Sequence, residues 1–145
     1  MAILGIDYGA KKIGLATSGQ DTNLALPLEV LINTGKDKVL MRLKEIFKDY
    51  NIKKIVVGVP TSMQEKQQGD LQNEQMKEVL SFVDWLKDNV DLSVVVEDER
   101  LSTKMANSLG KDLRQKGPDD AVAAMVVLQN YLDRIKHGHL ERRSP

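Results

Sequence analysis

The sequence predicts an α/β protein built on one mixed five-stranded sheet, and three observations carry that expectation. Short apolar segments over 3–8, 12–18 and 28–33 follow one another with only turns between them. After them, helical periodicity over 38–50 and 71–88 alternates with continuous apolar runs over 54–59 and 92–96. A long segment with an apolar face, 119–135, comes last. Strands joined by tight turns pair antiparallel, whereas strands separated by a helix cross over and pair parallel. One sheet therefore carries both kinds of pairing, with helices covering it.

Each element has its own signal. Ile3 to Tyr8 and Lys12 to Ser18 flank Gly9-Ala-Lys-Lys12, a glycine-containing hairpin turn. Residues 28–33 supply the third strand. Between 38 and 50, Val39, Leu40, Leu43, Ile46, Phe47 and Tyr50 recur at helical spacing, with Lys38, Lys44, Lys48 and Asp49 between them. Lys54-Ile-Val-Val-Gly-Val59 is a continuous apolar strand stopped by Pro60, the pattern of a strand covered on both faces. Met76, Val79, Leu80, Val83 and Leu86 define the second helix, and Leu92-Ser-Val-Val-Val96 a further buried strand. A short helix from about Ser102 to Leu109 and a long one from Asp119 to Ile135 complete the order β-β-β-α-β-α-β-α-α. Thr61 to Asn73 is the one long polar loop, and loops of that length often carry function. Trp85, Met76 and Met125 read as core. No repeat or linker divides the chain, so the expectation is a single domain over 1–145 with a basic tail from about 137.

Composition narrows the function. A chain of 145 residues can bury a core without staples. It contains no cysteine, which excludes disulfides, thiolate zinc sites and Cys nucleophiles. Its longest apolar run, Ala121 to Leu128, is far shorter than the roughly twenty residues that span a bilayer. Met1-Ala-Ile-Leu-Gly-Ile-Asp7 meets a carboxylate too soon for a signal peptide. A cytoplasmic location with no membrane partner is the expectation. The net charge is zero but unevenly spread: residues 62–99 hold three basic against ten acidic residues, and residues 100–145 nine against five. The basic final third suits phosphate contact, although solvated helix faces produce the same pattern.

Three carboxylates stand where chemistry would need them. Asp7 interrupts the first strand, Glu99 follows the last strand, and Asp120 opens the final helix. If the first and last strands are neighbours, these acids gather at one sheet edge. Packed like charges are costly unless a cation neutralises them, so the cluster is a hard-oxygen site for Mg²⁺ or Mn²⁺. Two such ions about 4 Å apart activate water and stabilise a leaving oxygen in phosphodiester hydrolysis. Each acid also has a structural reading: Asp7 salt-bridged, Glu99 in a surface pair with Arg100, Asp119 and Asp120 as cap and acidic first turn after Gly117-Pro118. Lys11 and Lys12 could hold a phosphate backbone or simply tip a hairpin. Ser102 and Thr103 read as a helix cap, and His137-Gly-His139 is assigned no role. Gly5, Gly9 and Gly14 form no dinucleotide fingerprint, because their turn leads into a strand.

At these residues the chain resembles the bacterial YqgF or RuvX-like family of Holliday-junction resolvases, also regarded as ribosomal-RNA-processing nucleases. Gly5-Ile-Asp-Tyr-Gly-Ala-Lys-Lys-Ile-Gly-Leu-Ala16 resembles the family's D-x-G-x-K-x-I-G-x-A opening, and Val57-Gly-Val-Pro60 its V-G-x-P. Asp98-Glu-Arg-Leu-Ser-Thr103 resembles D-E-R-L-[ST]-T, and Asp120-Ala-Val-Ala-Ala124 the D-x-x-A-A helix. The resemblance implies a ribonuclease H-like fold with its first three strands antiparallel. It also implies an acidic triad at Asp7, Glu99 and Asp120, with Asp98 and Asp119 as adjacent alternatives. Arg100, Thr103, Lys11 and Lys12 become candidate nucleic-acid contacts. The loop after Pro60 departs from the family by lacking its usual Asp-Gly pair, with Gly69 available for the family's second glycine.

The implied activity is a Mg²⁺- or Mn²⁺-dependent nuclease, with two ions, maturing the 5′ end of pre-16S ribosomal RNA on a ribosome precursor. One alternative is Holliday-junction resolution, which needs a homodimer and not a monomer, since two sites must face opposed strands. Another is a non-catalytic nucleic-acid-binding module for ribosome assembly. The D-x-G opening is shared with actin-like ATPases, but those need a second domain that 145 residues cannot supply.

Overall fold

The computed structural model describes residues 2–19, 23–60, 70–99 and 119–143, with side chains described throughout these except at 70–73, 119 and 136–143. The elements are β1 (Ala2–Asp7), β2 (Lys12–Ser18), β3 (Ala25–Ile32), α1 (Lys36–Asp49), β4 (Ile52–Val59), α2 (Asp70–Asn89), β5 (Ser93–Asp98) and α3 (Asp119–Arg143). The sheet order is β3-β2-β1-β4-β5. β1 pairs antiparallel with β2, and β2 with β3, while β1–β4 and β4–β5 are parallel. This is the mixed sheet that the tight turns and the helical crossovers demand.

Alternation along the central strands sorts the layers. Leu4 and Ile6 of β1, Ile13 and Leu15 of β2, and Ile55 and Val57 of β4 face one side. There they meet Val39, Leu43 and Ile46 of α1, and Val79, Phe82, Val83 and Leu86 of α2. Ile3, Ala16 and Val56 face the other side, where α3 lays down Ala124, Met125, Val127, Leu128, Tyr131 and Leu132. Leu4, Ile6, Leu43 and Leu128 are fully enclosed. Each such side chain contributes about 1.5–3 kcal/mol by leaving water. Trp85 and Met76 pack at the margin of the first core and Met125 lies inside the second.

The boundaries differ from expectation where burial and backbone pairing part company. β3 begins at Ala25, three residues early, and runs through Pro27. It is an edge strand bonded only to β2, so a residue without an N–H is tolerated there. The register jumps from Leu15↔Glu29 to Ala16↔Pro27, leaving Leu28 as the extra residue of a bulge. β5 continues past Val96 because Gly58↔Glu97 and Val59↔Asp98 extend its ladder. α2 begins at Asp70 and so takes the end of the segment expected as loop, whose remainder, 61–69, lies outside the described residues. α3 runs to Arg143 because apolar periodicity reports burial, not helicity. The short helix expected at 102–109 lies outside the described residues.

Candidate functional site

Asp7 is the last residue of β1 and, like Ile3, faces α3. Its partner across the antiparallel ladder is Gly14. A Cβ on Gly14 would overlap the carbonyl oxygen of Asp120. The bare backbone at Gly14 thus lets the first turn of α3 lie directly on the hairpin and deliver Asp120 beside Asp7. Gly58 does the equivalent on the other flank of β1. A Cβ there would lie 2.6 Å from Val127 Cγ2 and 3.0 Å from Glu99 Cγ, so its absence opens room for the Glu99 side chain. Glu99 itself continues the β4–β5 ladder, its N–H donating to the Val59 carbonyl at 3.0 Å.

These contacts place Glu99 and Asp120 near enough to Asp7 to act on its charge. Burial pushes the Asp7 carboxyl up from its ordinary 3.8 to about 9, and a hydrogen bond to Glu99, the Glu99 charge and the Asp120 charge push in the same direction. The shift favours the neutral form of Asp7 beside the Glu99 carboxylate. Among the described residues, no three His, Cys, Asp or Glu side chains close around a single point. An all-oxygen set at the half-buried end of a strand fits a hard divalent ion and suits no soft metal.

The structure separates the remaining candidates. Asp98 is exposed and pairs with Val59, so of the two neighbours it is Glu99 that reaches Asp7. Asp119 opens α3, and its side chain is not among those described. Lys11 and Lys12 are exposed at the β1–β2 turn. Lys12 lies two residues before Gly14, on the face that carries Asp7. Arg100 and Thr103 lie outside the described residues. Glu97, two residues before Glu99 on the same face of β5, is engaged elsewhere: Arg134 of α3 donates from Nε and Nη2 to its Oε1, at 3.0 and 2.7 Å.

Sequence reading missed Gly14 and Gly58 as the residues that seat the acids. Their signal was a glycine inside a strand, which marks close approach of another chain segment. It missed Asn33 as well. Asn33 Nδ2 donates to the Gly9 carbonyl at 3.1 Å, and its N–H donates to the Lys11 carbonyl at 2.9 Å.

Sheet order 3-2-1-4-5, with acids on the central strand, after the last described strand and at the start of the closing helix, defines a ribonuclease H-like fold of the resolvase type. T. thermophilus RuvC in complex with a Holliday junction substrate superposes with a TM-score of 0.58 at 18% identity, over 91% of this chain and 93% of that one. The Fowlpox virus resolvase, also solved with Holliday junction DNA, gives 0.55 at 12% identity over 93% and 99%. Residues 1–134 match the RuvX family, described as Holliday junction resolvase, and the chain belongs to that family. A relative from Rickettsia bellii is 36% identical over 138 residues, covering 92% of this chain and 86% of the relative. One from Rickettsia felis is 36% identical over 139 residues, covering 92% and 87%. Both carry the provisional name pre-16S rRNA nuclease. Among the described residues, no helix is long and apolar enough to cross a membrane.

Proposed function

We propose that this protein is a divalent-metal-dependent nuclease that matures the 5′ end of the small-subunit ribosomal RNA precursor. The observation that carries the reading is the approach of Glu99 and Asp120 to Asp7, which the bare backbones of Gly14 and Gly58 permit. A carboxylate cluster set into a family of nucleases is expensive to keep unless it binds a cation. Asp7, Glu99 and Asp120 would hold two Mg²⁺ or Mn²⁺ ions, which when bound supply water activation and charge neutralisation on the phosphate.

The chain's own residues do the rest. Gly14 and Gly58 seat the acids. Lys11 and Lys12, with Arg100 and Thr103, hold the phosphate backbone and fix its register, as backbone contacts do in nucleic-acid complexes generally. The preference for RNA follows the names of the Rickettsia relatives, and a ribosome precursor in the cytoplasm is the corresponding partner. Residues 1–145 then act as one nuclease domain.

A second reading, resolution of four-way DNA junctions, is favoured by the family description and by the likeness to RuvC. It requires a homodimer with two opposed sites. The deciding experiment offers one preparation a precursor ribosomal RNA leader, generic single-stranded RNA and a four-way DNA junction, each with Mn²⁺, Mg²⁺ or chelator. Metal-dependent cleavage of the leader supports maturation. Paired symmetric nicks in the junction replace it with resolution, and silence on all three substrates leaves a binding module.

A further inference from the structure

The turn between β1 and β2 is held from outside itself. Gly9, Ala10 and Lys11 link Asp7 and Tyr8 to the start of β2, and both lysines at this tip are exposed. A Cβ on Gly9 would lie 2.6 Å from the Lys12 carbonyl oxygen, so the turn leaves no room there for a side chain. Asn33, just past the end of β3, clamps it from the other side. Its N–H donates to the Lys11 carbonyl at 2.9 Å, and its Nδ2 donates to the Gly9 carbonyl at 3.1 Å and, more weakly, to the Tyr8 hydroxyl at 3.4 Å. Tyr8 is fixed in turn by stacking on Phe82 of α2, with ring centroids 4.2 Å apart.

We propose that Asn33 is a positioning residue that sets the Gly9–Lys12 turn as a rigid cationic lip beside the acidic cluster, where Lys11 and Lys12 grip a nucleic-acid phosphate. The inference rests on the nuclease reading above. Among the described residues neither lysine is engaged in an ion pair, and both are exposed. Lys12 shares the face of Asp7, which repels a phosphodiester when it carries charge, and a cation beside it offsets that repulsion. A backbone fixed in advance also lowers the entropic cost of the grip.

The test is a double-mutant cycle on binding, using fluorescently labelled precursor leader RNA with Ca²⁺ in place of Mg²⁺. Asn33→Ala is expected to weaken binding about tenfold, the loss of roughly two hydrogen bonds, and to speed amide exchange at residues 10–12. Mn²⁺ affinity and kcat at saturating RNA stay at wild-type values. In a Lys11→Gln/Lys12→Gln background, Asn33→Ala has no further effect, because the lip it positions carries nothing. An equal loss in both backgrounds, or unchanged binding, overturns the proposal. A wild type that binds RNA but cuts nothing with any metal overturns the nuclease reading alone, and the cycle still reports on Asn33. A wild type that binds neither RNA nor a DNA junction overturns both.

Discussion

Gly14 and Asp120 touch backbone to backbone, with no room at position 14 for even a methyl group against the Asp120 carbonyl. Because Gly14 is also the ladder partner of Asp7, one contact fixes both the seat of α3 and the spacing of two acids. The acidic cluster is thus a product of sheet register and helix approach.

Gly14→Ala should therefore damage the site through the backbone. The added methyl forces the first turn of α3 off the hairpin, at a cost of about 1–3 kcal/mol typical of overpacking. Thermal denaturation reads the stability loss, and calorimetry with Mn²⁺ reads weaker binding, although no acid has been changed.

Asp7 gives the metal-free protein a specific pH dependence. Its carboxyl ionises near 3.8 in the unfolded chain and at about 9 in the fold, so between these values the folded state binds the extra proton. Stability contributed by this group is fully present below about 4 and falls as pH rises, until the penalty is complete above about 9. Urea denaturation in chelator across that range should show the decline. Asp7→Asn should flatten it, and Mn²⁺ should stabilise the wild type most at the alkaline end.

The same substitution should separate stability from activity. Asp7→Asn removes a buried carboxylate beside Glu99 and Asp120, and at pH 8 in chelator the variant should melt above the wild type. Its metal-dependent cleavage should fall by at least about a hundredfold, the scale expected when a main electrostatic partner of the reaction is lost. Melting curves and rates from one preparation check both halves.

Two positions on α3 should differ in kind. Leu128 is fully enclosed against the sheet, and Leu128→Ala should cost about 2–5 kcal/mol. Arg134 pairs with Glu97 at 2.7 Å, but its side chain is 60% exposed. Arg134→Gln should cost less than about 1 kcal/mol. Chemical denaturation of the two variants side by side measures the contrast.

Much of this was legible in the residues. Asp7 stood out because a carboxylate among Ile3, Leu4 and Ile6 needs a reason, and the sense of each strand pairing followed from the connections, but the order did not: β1 and β5, taken as neighbours to gather the acids, are separated by β4. Asp98 and Glu99 could not be separated because Val94, Val95 and Val96 make β5 apolar on both faces and erase the alternation that would orient the two acids. Pro27 reads as a breaker until β3 is known to lie at an edge. A glycine inside a strand signals that Gly14 and Gly58 admit a close neighbour but not which one, since α3 lies more than sixty residues further along the chain from either. Asn33 was silent because its partners, the Gly9 and Lys11 carbonyls and the Tyr8 hydroxyl, lie more than twenty residues away and no sequence pattern displays them.

If Asp7, Glu99 and Asp120 act as one cation-holding cluster, each of them should be needed to bind the ion. Calorimetric titration of Mn²⁺ into the wild type and into Asp7→Asn, Glu99→Gln and Asp120→Asn, all at pH 7.5, reads this out. The wild type should bind Mn²⁺ saturably, with each substitution removing or sharply weakening the binding. Equal Mn²⁺ binding by the wild type and all three variants would contradict such a cluster.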